Sequence, residues 1–145
     1  MWHLQFLEDV LANYLTARLR ISRPATMDDV HVALARERRK TLGAMLREAR
    51  GAGMIREQIA AEFDALLEDR NWLVHRAMEE YGDAIYTASG RDAFLQRAAA
   101  LRDRAINLKK ALYIDLRAWF SQQGVDVEWA EARGVENFRS LSGRE

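Results

Sequence analysis

The chain has 145 residues, with 22 Lys and Arg against 22 Asp and Glu, so its formal net charge is zero. This length is typical of one domain with a buried core, and the absence of cysteine excludes disulfides, thiolate metal sites and cysteine nucleophiles. Proteins that coat nucleic acid by bulk electrostatics usually carry a basic excess, so any contact with RNA or DNA is expected to be local.

The N-terminal sequence and the hydropathy favour a cytoplasmic protein. Charges at Glu8 and Asp9 interrupt the first apolar residues, and no basic segment precedes them, so we predict no signal peptide. No apolar run approaches the roughly 20 residues that a membrane-spanning helix needs. We therefore expect no membrane association.

Apolar residues recur at helical spacing along the first half of the chain, which contains the one proline, Pro24. The predicted elements are a helix from about Trp2 to Arg20, a break at 21–25, a helix capped by Thr26 and a short helix capped by Thr41 that ends at Gly51-Ala52-Gly53.

From Met54 to about Tyr81 the pattern is helical again, either as one helix or as two with a kink or turn near Glu68-Asp69-Arg70. The last strong helix is predicted from about Arg91 to Gln123, with Ser89 or Gly90 as its cap and Gly124 as its stop. Residues 125–145 are weakly patterned. Val127, Trp129 and Phe138 can dock onto the body there, and Ser140 to Glu145 is expected to fray.

These elements predict an all-α fold, an antiparallel bundle of four to five helices with a short irregular C-terminal tail. The bundle is expected to span residues 1–124, and the tail, partly docked, residues 125–145. No internal repeat or low-complexity tract interrupts the pattern.

Residues suited to chemistry concentrate in one six-residue run, Arg70-Asn71-Trp72-Leu73-Val74-His75. Arg70 offers a phosphate a planar fork of donors, and His75 can move a proton near neutral pH. Asn71 and His75 share a helix face, whereas Arg70 and His75 stand about 140° apart around the axis. A helix that begins near Glu68–Asn71 would let Arg70 swing towards the imidazole and would add backbone N–H groups to an anion site.

These groups are suited to cleaving RNA without a metal or other cofactor. The ribose 2′-OH is an internal nucleophile beside the phosphorus, so an enzyme needs only to move protons and stabilise charge. His75 would act as base or acid, Arg70 would neutralise the pentacoordinate phosphate, and Asn71 would orient one of them. DNA lacks the 2′-OH and would resist this mechanism.

A structural interpretation of the same run stays open. Arg70 can pair with Glu68 or Asp69, Asn71 can cap a helix, and His75 can fill a half-buried slot. Trp72 is expected to point away from the apolar stripe of its helix, which suggests packing in a dimer interface or stacking on a base.

Other candidate residues give weaker signals. His3 is interpreted as a surface residue, and His31 lacks the further ligands that a metal site needs. The run Arg36-Glu37-Arg38-Arg39-Lys40 is interpreted as a solvated charged turn, with RNA contact as its alternative. No helix pair has the basic recognition face of a helix-turn-helix regulator.

The segment from Phe63 to Arg76 resembles the HEPN superfamily of small helical bundles. Its motif is an arginine, a polar residue that is often asparagine, three to five further residues and a histidine, which Arg70, Asn71 and His75 match. Thr41-Leu42-Gly43, the glycine-ended helix and the long last helix look like one bacterial branch of the family. The resemblance in architecture covers roughly residues 1–123, and its specific part is the motif.

The resemblance implies a metal-independent endoribonuclease of single-stranded RNA, often the toxin of a toxin–antitoxin or phage-defence system. It implies a homodimer in which two motifs meet across the two-fold axis, and a cognate antitoxin as a further partner. Arg70, Asn71 and His75 carry over as the catalytic residues. Because the family includes members without demonstrated cleavage, a non-catalytic helical dimerisation or interaction module is the alternative.

Overall fold

The computed structural model of the chain describes residues 2–20 and 26–141. These residues form helices and no β-strand: α1 (Trp2–Leu15), α2 (Met27–Glu37), α3 (Leu42–Gly51), α4 (Glu57–His75), α5 (Ala77–Tyr81), α6 (Ala88–Gln122) and α7 (Val127–Leu141). A π-helical turn, Thr16–Arg20, follows α1, and a 3-10 turn, Ala84–Tyr86, precedes α6. The predicted all-α class is confirmed. The predicted break at 21–25 lies outside the described residues.

Two predicted helix caps are confirmed. Thr26 Oγ1 accepts the Asp29 N–H at 3.2 Å, and Asp29 Oδ2 accepts the Thr26 N–H at 2.8 Å, which is a reciprocal capping box. Thr41 Oγ1 accepts the Ala44 N–H at 3.3 Å. Each cap satisfies a backbone donor that a helix start leaves without an intrahelical partner.

The later helix boundaries differ in part from the prediction. The segment 54–81 forms two helices, as one alternative predicted, but the break falls at Arg76, and α4 is continuous through 68–70. Helix α6 begins at Ala88, earlier than predicted, since Thr87 Oγ1 accepts the Gly90 N–H at 3.1 Å. Gly124, with φ of 77°, follows the end of α6 as predicted.

The chain divides into two compact units, Met1–Leu112 and Tyr113–Glu145. The division falls inside α6 and not at the predicted boundary after Gly124. In the first unit, α1 packs against α2 and α3, α3 against α4, and α4 against α5. Its core contains large side chains with almost no exposure: Leu7, Leu11, Tyr14, Leu15, Met45, Leu46, Phe63, Leu66 and Trp72.

The second unit is a hairpin made of the end of α6 and of α7. The predicted irregular tail is wrong over 127–141, which is helical, and Asp126 Oδ1 caps α7 by accepting the Trp129 N–H at 2.9 Å. Trp129 is well exposed, contrary to its predicted docking. The side chain of Phe138 and residues 142–145 lie outside the described part.

No helix in the described ranges combines the length and the apolar character needed to cross a bilayer.

A four-charge network joins the π-helical turn, α2 and α3. Glu37 is fully buried, and its carboxylate accepts from Arg20 Nε at 2.9 Å and from Lys40 Nζ at 2.7 Å. Both cations also pair with Glu48. The predicted solvated turn at 36–40 is therefore wrong for Glu37 and Lys40, which hold helices together, while Arg36 and Arg39 are exposed.

We expect Glu48→Gln to reduce the acid sensitivity of the fold. Hydrogen bonding from Lys40 is the main cause that holds the pKa of Glu48 below its ordinary value of 4.5. A carboxylate with a lowered folded-state pKa stabilises the fold above its unfolded pKa, and this stabilisation is lost as the pH falls through the folded pKa. Between about pH 6 and pH 3, urea unfolding should show a smaller loss of stability in Glu48→Gln than in the wild type.

Glu68→Gln is the matched control, because Glu68 is exposed on α4. It should follow the wild-type pH profile. An identical profile for Glu48→Gln and the wild type would contradict a stabilising role of the Glu48 charge.

Candidate functional site

The predicted motif lies at the C-terminal end of α4, and His75 is the last residue of the helix. The Arg76 N–H donates to Trp72 O at 2.8 Å, and α5 begins at the next residue. The expectation of a helix that begins near Glu68–Asn71 is wrong. Because the free backbone groups at this end of α4 are carbonyls, α4 adds no N–H groups to an anion site here.

Trp72 anchors this end of α4 to two other helices. Its Nε1–H donates to Glu80 Oε2 of α5 at 2.6 Å. Its ring meets Tyr81 edge-on at 5.9 Å between centroids and Phe94 of α6 at 6.2 Å. The Arg97 guanidinium lies 3.7 Å above the ring and also pairs with Glu80, with 3.2 Å between Nη1 and Oε1. We call these five residues the Trp72 cluster.

The prediction that Trp72 packs in a dimer interface or stacks on a base is corrected by this arrangement. Trp72 is only 1% exposed, so its ring is already covered within one protomer. The helical spacing predicted that Trp72 points away from the stripe of Phe63, but side chains of α5 and α6 cover its ring on that side. Tyr81 and Phe94, two aromatic residues at apolar positions of the helical pattern, are the signal that could have indicated this cluster.

Asn71 and His75, on either side of Trp72 in sequence, are exposed. Among the described residues, neither side chain has a hydrogen-bond partner or an ion pair. They stand one turn apart and share a helix face, as predicted. Val74, which precedes His75 on α4, and Met78 of α5 are exposed as well. The burial of Trp72 therefore fixes the backbone at this point while leaving the amide and the imidazole open to solvent.

Arg70 is half-buried, and its guanidinium pairs with no carboxylate of the described part of the chain. Asp69, one of its two predicted structural partners, binds Arg104 of α6 instead, with 2.6 Å between Oδ2 and Nη1. Glu68, the other, is exposed and has no ion pair among the described residues. Glu62 also approaches Arg104, at 3.4 Å. The nearest acid in sequence is thus turned towards α6, which leaves the positive charge of Arg70 available to an external anion.

Within one protomer, the side chains of Arg70, Asn71 and His75 do not all point in one direction. On the continuous helix α4, the directions of Arg70 and His75 differ by about 140°. Neither of two surface grooves contains a motif residue. One, of about 460 Å³, lies between α4 and α6 and includes Gln58, Glu62, Arg104 and Asn107. The other, of about 290 Å³, lies in the hairpin. Asn71 and His75 are therefore exposed on α4 and lie in neither of these two grooves.

The remaining histidines do not enlarge the site. His3 is exposed, as predicted, and His31 is exposed as well. Across residues 2–20 and 26–141, no group of three or more His, Cys, Asp or Glu side chains is arranged to hold a metal ion.

Comparison of the chain with protein-family models, with curated proteins and with solved structures found no match.

Proposed function

We propose that this protein is a HEPN-like, metal-independent endoribonuclease that cleaves single-stranded RNA. The observation that carries the proposal is the burial and the pairing of Arg70. It is a half-buried arginine without an acidic partner in the described residues, and it lies one and five positions from an exposed amide and an exposed imidazole. A purely structural arginine at such a place would be expected to pair with an acid, and Asp69 pairs elsewhere.

Each group has a distinct task in this proposal. His75 takes the proton of the ribose 2′-OH or gives one to the leaving 5′-oxygen. Arg70 neutralises the charge that develops on the phosphorane oxygens through two parallel N–H bonds. Asn71, one turn before His75 on the same face, orients the phosphate or the imidazole. The products are a 2′,3′-cyclic phosphate and a 5′-hydroxyl.

The open position of the motif favours a site completed by a second copy. Arg70 and His75 diverge around α4, so a cleft that encloses one phosphate needs a wall that one protomer does not supply. We propose a cytoplasmic homodimer in which two motifs face each other, built on an antiparallel bundle of four to five helices. A role as a toxin or phage-defence effector, with an antitoxin partner, rests on the family resemblance alone.

The second candidate is a non-catalytic helical interaction module. The exposure of Val74 and Met78 beside the motif favours it, because apolar side chains next to polar ones are typical of protein contact surfaces. In this case the motif side chains would contact a protein and not a phosphodiester.

Incubation of total cellular RNA with the purified protein in EDTA separates the two candidates. The ribonuclease proposal predicts cleavage without added metal and fragments that carry 2′,3′-cyclic phosphate and 5′-hydroxyl ends. Fragments with 3′-hydroxyl ends, or cleavage only with Mg²⁺, would contradict the mechanism. Intact RNA together with capture of a protein partner through the motif would favour the interaction module.

A further inference from the structure

Tyr86 carries an aromatic ring that the protein leaves open to solvent. The side chain is 84% exposed, at the end of the 3-10 turn between α5 and α6. Among the described residues, its ring has no aromatic partner and its hydroxyl no hydrogen-bond partner. A single exposed apolar side chain is common on protein surfaces. The significance of Tyr86 therefore depends on how the turn is held and on where it lies.

Hydrogen bonds hold the backbone around Tyr86. The Thr87 N–H and the Thr87 hydroxyl both donate to Ala84 O, at 2.9 and 2.8 Å. Arg91 Nη1, in the first turn of α6, donates to Tyr86 O at 3.2 Å. Gly90 is buried against the turn, and a Cβ there would overlap the Ala84 carbonyl. The ring is thus presented on a fixed backbone, which lowers the entropy lost when a ligand packs on it.

Helix α6 runs antiparallel to α4 beside the motif. Phe94, near the start of α6, packs on the Trp72 ring. Arg104, ten residues later, binds Asp69, which precedes Trp72 on α4. Positions towards the start of α6 therefore correspond to positions towards the end of α4, where His75 lies.

The 3-10 turn lies beyond the end of α4, in the direction of His75. His75 is three residues past Trp72, or about 4.5 Å along the helix axis. The first residue of α6, Ala88, is six residues before Phe94, or about 9 Å in the same direction. Tyr86 stands two positions before this helix start. An RNA strand that is cut at His75 can therefore extend across Tyr86.

Charges around the turn favour contact with a base over contact with the phosphate backbone. Arg76 and Arg91 are exposed here, but so are the acids Glu79 and Asp83. The two signs offset each other, so this surface offers a polyanion little general attraction. An aromatic ring stacks on a base through its π-face and needs no basic surface. Of the side chains at this turn, Tyr86 is thus the one suited to hold a nucleotide.

We propose that Tyr86 stacks on an unpaired base of the RNA that flanks the phosphodiester cut by the motif. The inference rests on the proposed ribonuclease function and specifies its substrate, a single strand with an unpaired base, preferably a purine, near the cut. A purine offers the larger π-surface, so stacking favours it modestly. A duplex keeps the base inside its own stack, which withholds it from the ring.

Binding of full-length protein to a fluorescein-labelled oligo(A) of about 12 nucleotides, within the usual site sizes for single strands, tests the contact. Fluorine replaces every 2′-OH, so the strand is not cut by the proposed mechanism. Fluorescence anisotropy should show that Tyr86→Ala weakens binding about 5- to 100-fold, the range for loss of one stacked base. Tyr86→Phe keeps the ring and should bind as the wild type does. Oligo(U) should bind the wild type less tightly than oligo(A).

Phe6→Ala is the matched control, because Phe6 is an aromatic residue on α1 that is 60% exposed. Lys109 of α6, which lies over the Phe6 ring, is about 30 Å along the helix from its start at Ala88. The control therefore removes an exposed ring far from the turn. Phe6→Ala should bind oligo(A) with the affinity of the wild type.

Abasic substitution identifies the stacked base on an RNA that the wild type cuts. When each nucleotide that flanks the cut is made abasic in turn, one position should raise the KM of the wild type as much as Tyr86→Ala does. Tyr86→Ala should be insensitive to the change at that position, since the two partners of one contact are not additive. The kcat should change little, because the ring lies away from the reacting atoms.

Equal affinity of Tyr86→Ala and the wild type for oligo(A), or no binding by the wild type, would overturn the proposal in favour of a protein contact at Tyr86. Binding that depends on Tyr86, without cleavage of any natural RNA, would support the stacking contact and contradict the proposed ribonuclease activity. Cleavage with the predicted ends and no dependence on Tyr86 would do the reverse.

Discussion

His75→Ala is expected to lower the rate of RNA cleavage in EDTA by about 10²–10⁴-fold, the usual contribution of a positioned proton-transfer group. His75 is exposed at the end of α4 and has no partner in the described residues, so its removal should leave the fold intact. Arg70→Ala should cost about 10²–10³-fold, since it removes the donors that stabilise the developing phosphorane charge. Asn71→Ala should have a smaller effect.

The readout is the single-turnover rate on an RNA that the wild type cuts, with circular dichroism and mass measured on each variant. His31→Ala and Arg39→Ala are matched controls, because both residues are exposed elsewhere in the first unit. Both should cleave at the wild-type rate. If His75→Ala and Arg70→Ala cleave as fast as these controls, the motif is not the catalytic site.

Trp72→Ala is expected to destabilise the protein by about 3–5 kcal/mol, the range for truncation of a buried aromatic side chain. The ring is 1% exposed and contacts Tyr81, Phe94 and Arg97. Its loss leaves a cavity and also frees Glu80 from the indole N–H. Trp72→Phe keeps most of the packing and should cost less, about 1–2 kcal/mol for the lost hydrogen bond and smaller ring.

Urea unfolding followed by circular dichroism measures both changes. Tyr86→Ala is the control, because this aromatic side chain is 84% exposed and its removal should change stability by no more than about 0.5 kcal/mol. If Trp72→Ala were as stable as the wild type, the Trp72 cluster would not hold the end of α4. In the expected case Trp72→Ala should also lose cleavage activity, since the cluster fixes the backbone beside His75.

Features set by local sequence were predicted well. Thr26 and Thr41 cap helices because their hydroxyls reach N–H groups three residues ahead, and Gly124 follows a helix because it adopts a positive φ. Asn71 and His75 share a helix face, as their spacing predicts. Each of these depends on residues within one helical turn.

Features set by distant residues could not be predicted from the pattern. Trp72 is buried by Phe94 and Arg97, which lie more than twenty positions later on α6, so helical spacing alone pointed it outward. Glu37 stands in a run of charged residues, and such a run is typical of a solvent-exposed turn. Its burial depends on the ion pair with Arg20 of the π-helical turn, which lies 17 positions earlier. The pairing of Asp69 with Arg104 of α6, 35 positions later, could likewise not be predicted, and Arg70 has no acidic partner among the described residues.

The most direct test of the proposed mechanism compares one oligonucleotide in two forms, RNA and its fully 2′-deoxy equivalent, both incubated with the wild type in EDTA. Attack by the 2′-OH predicts that the RNA is cut to a 2′,3′-cyclic phosphate and that the deoxy form remains intact. Cleavage of the deoxy form, in EDTA or on addition of Mg²⁺, would contradict the central claim that Arg70, Asn71 and His75 form a metal-free ribonuclease site.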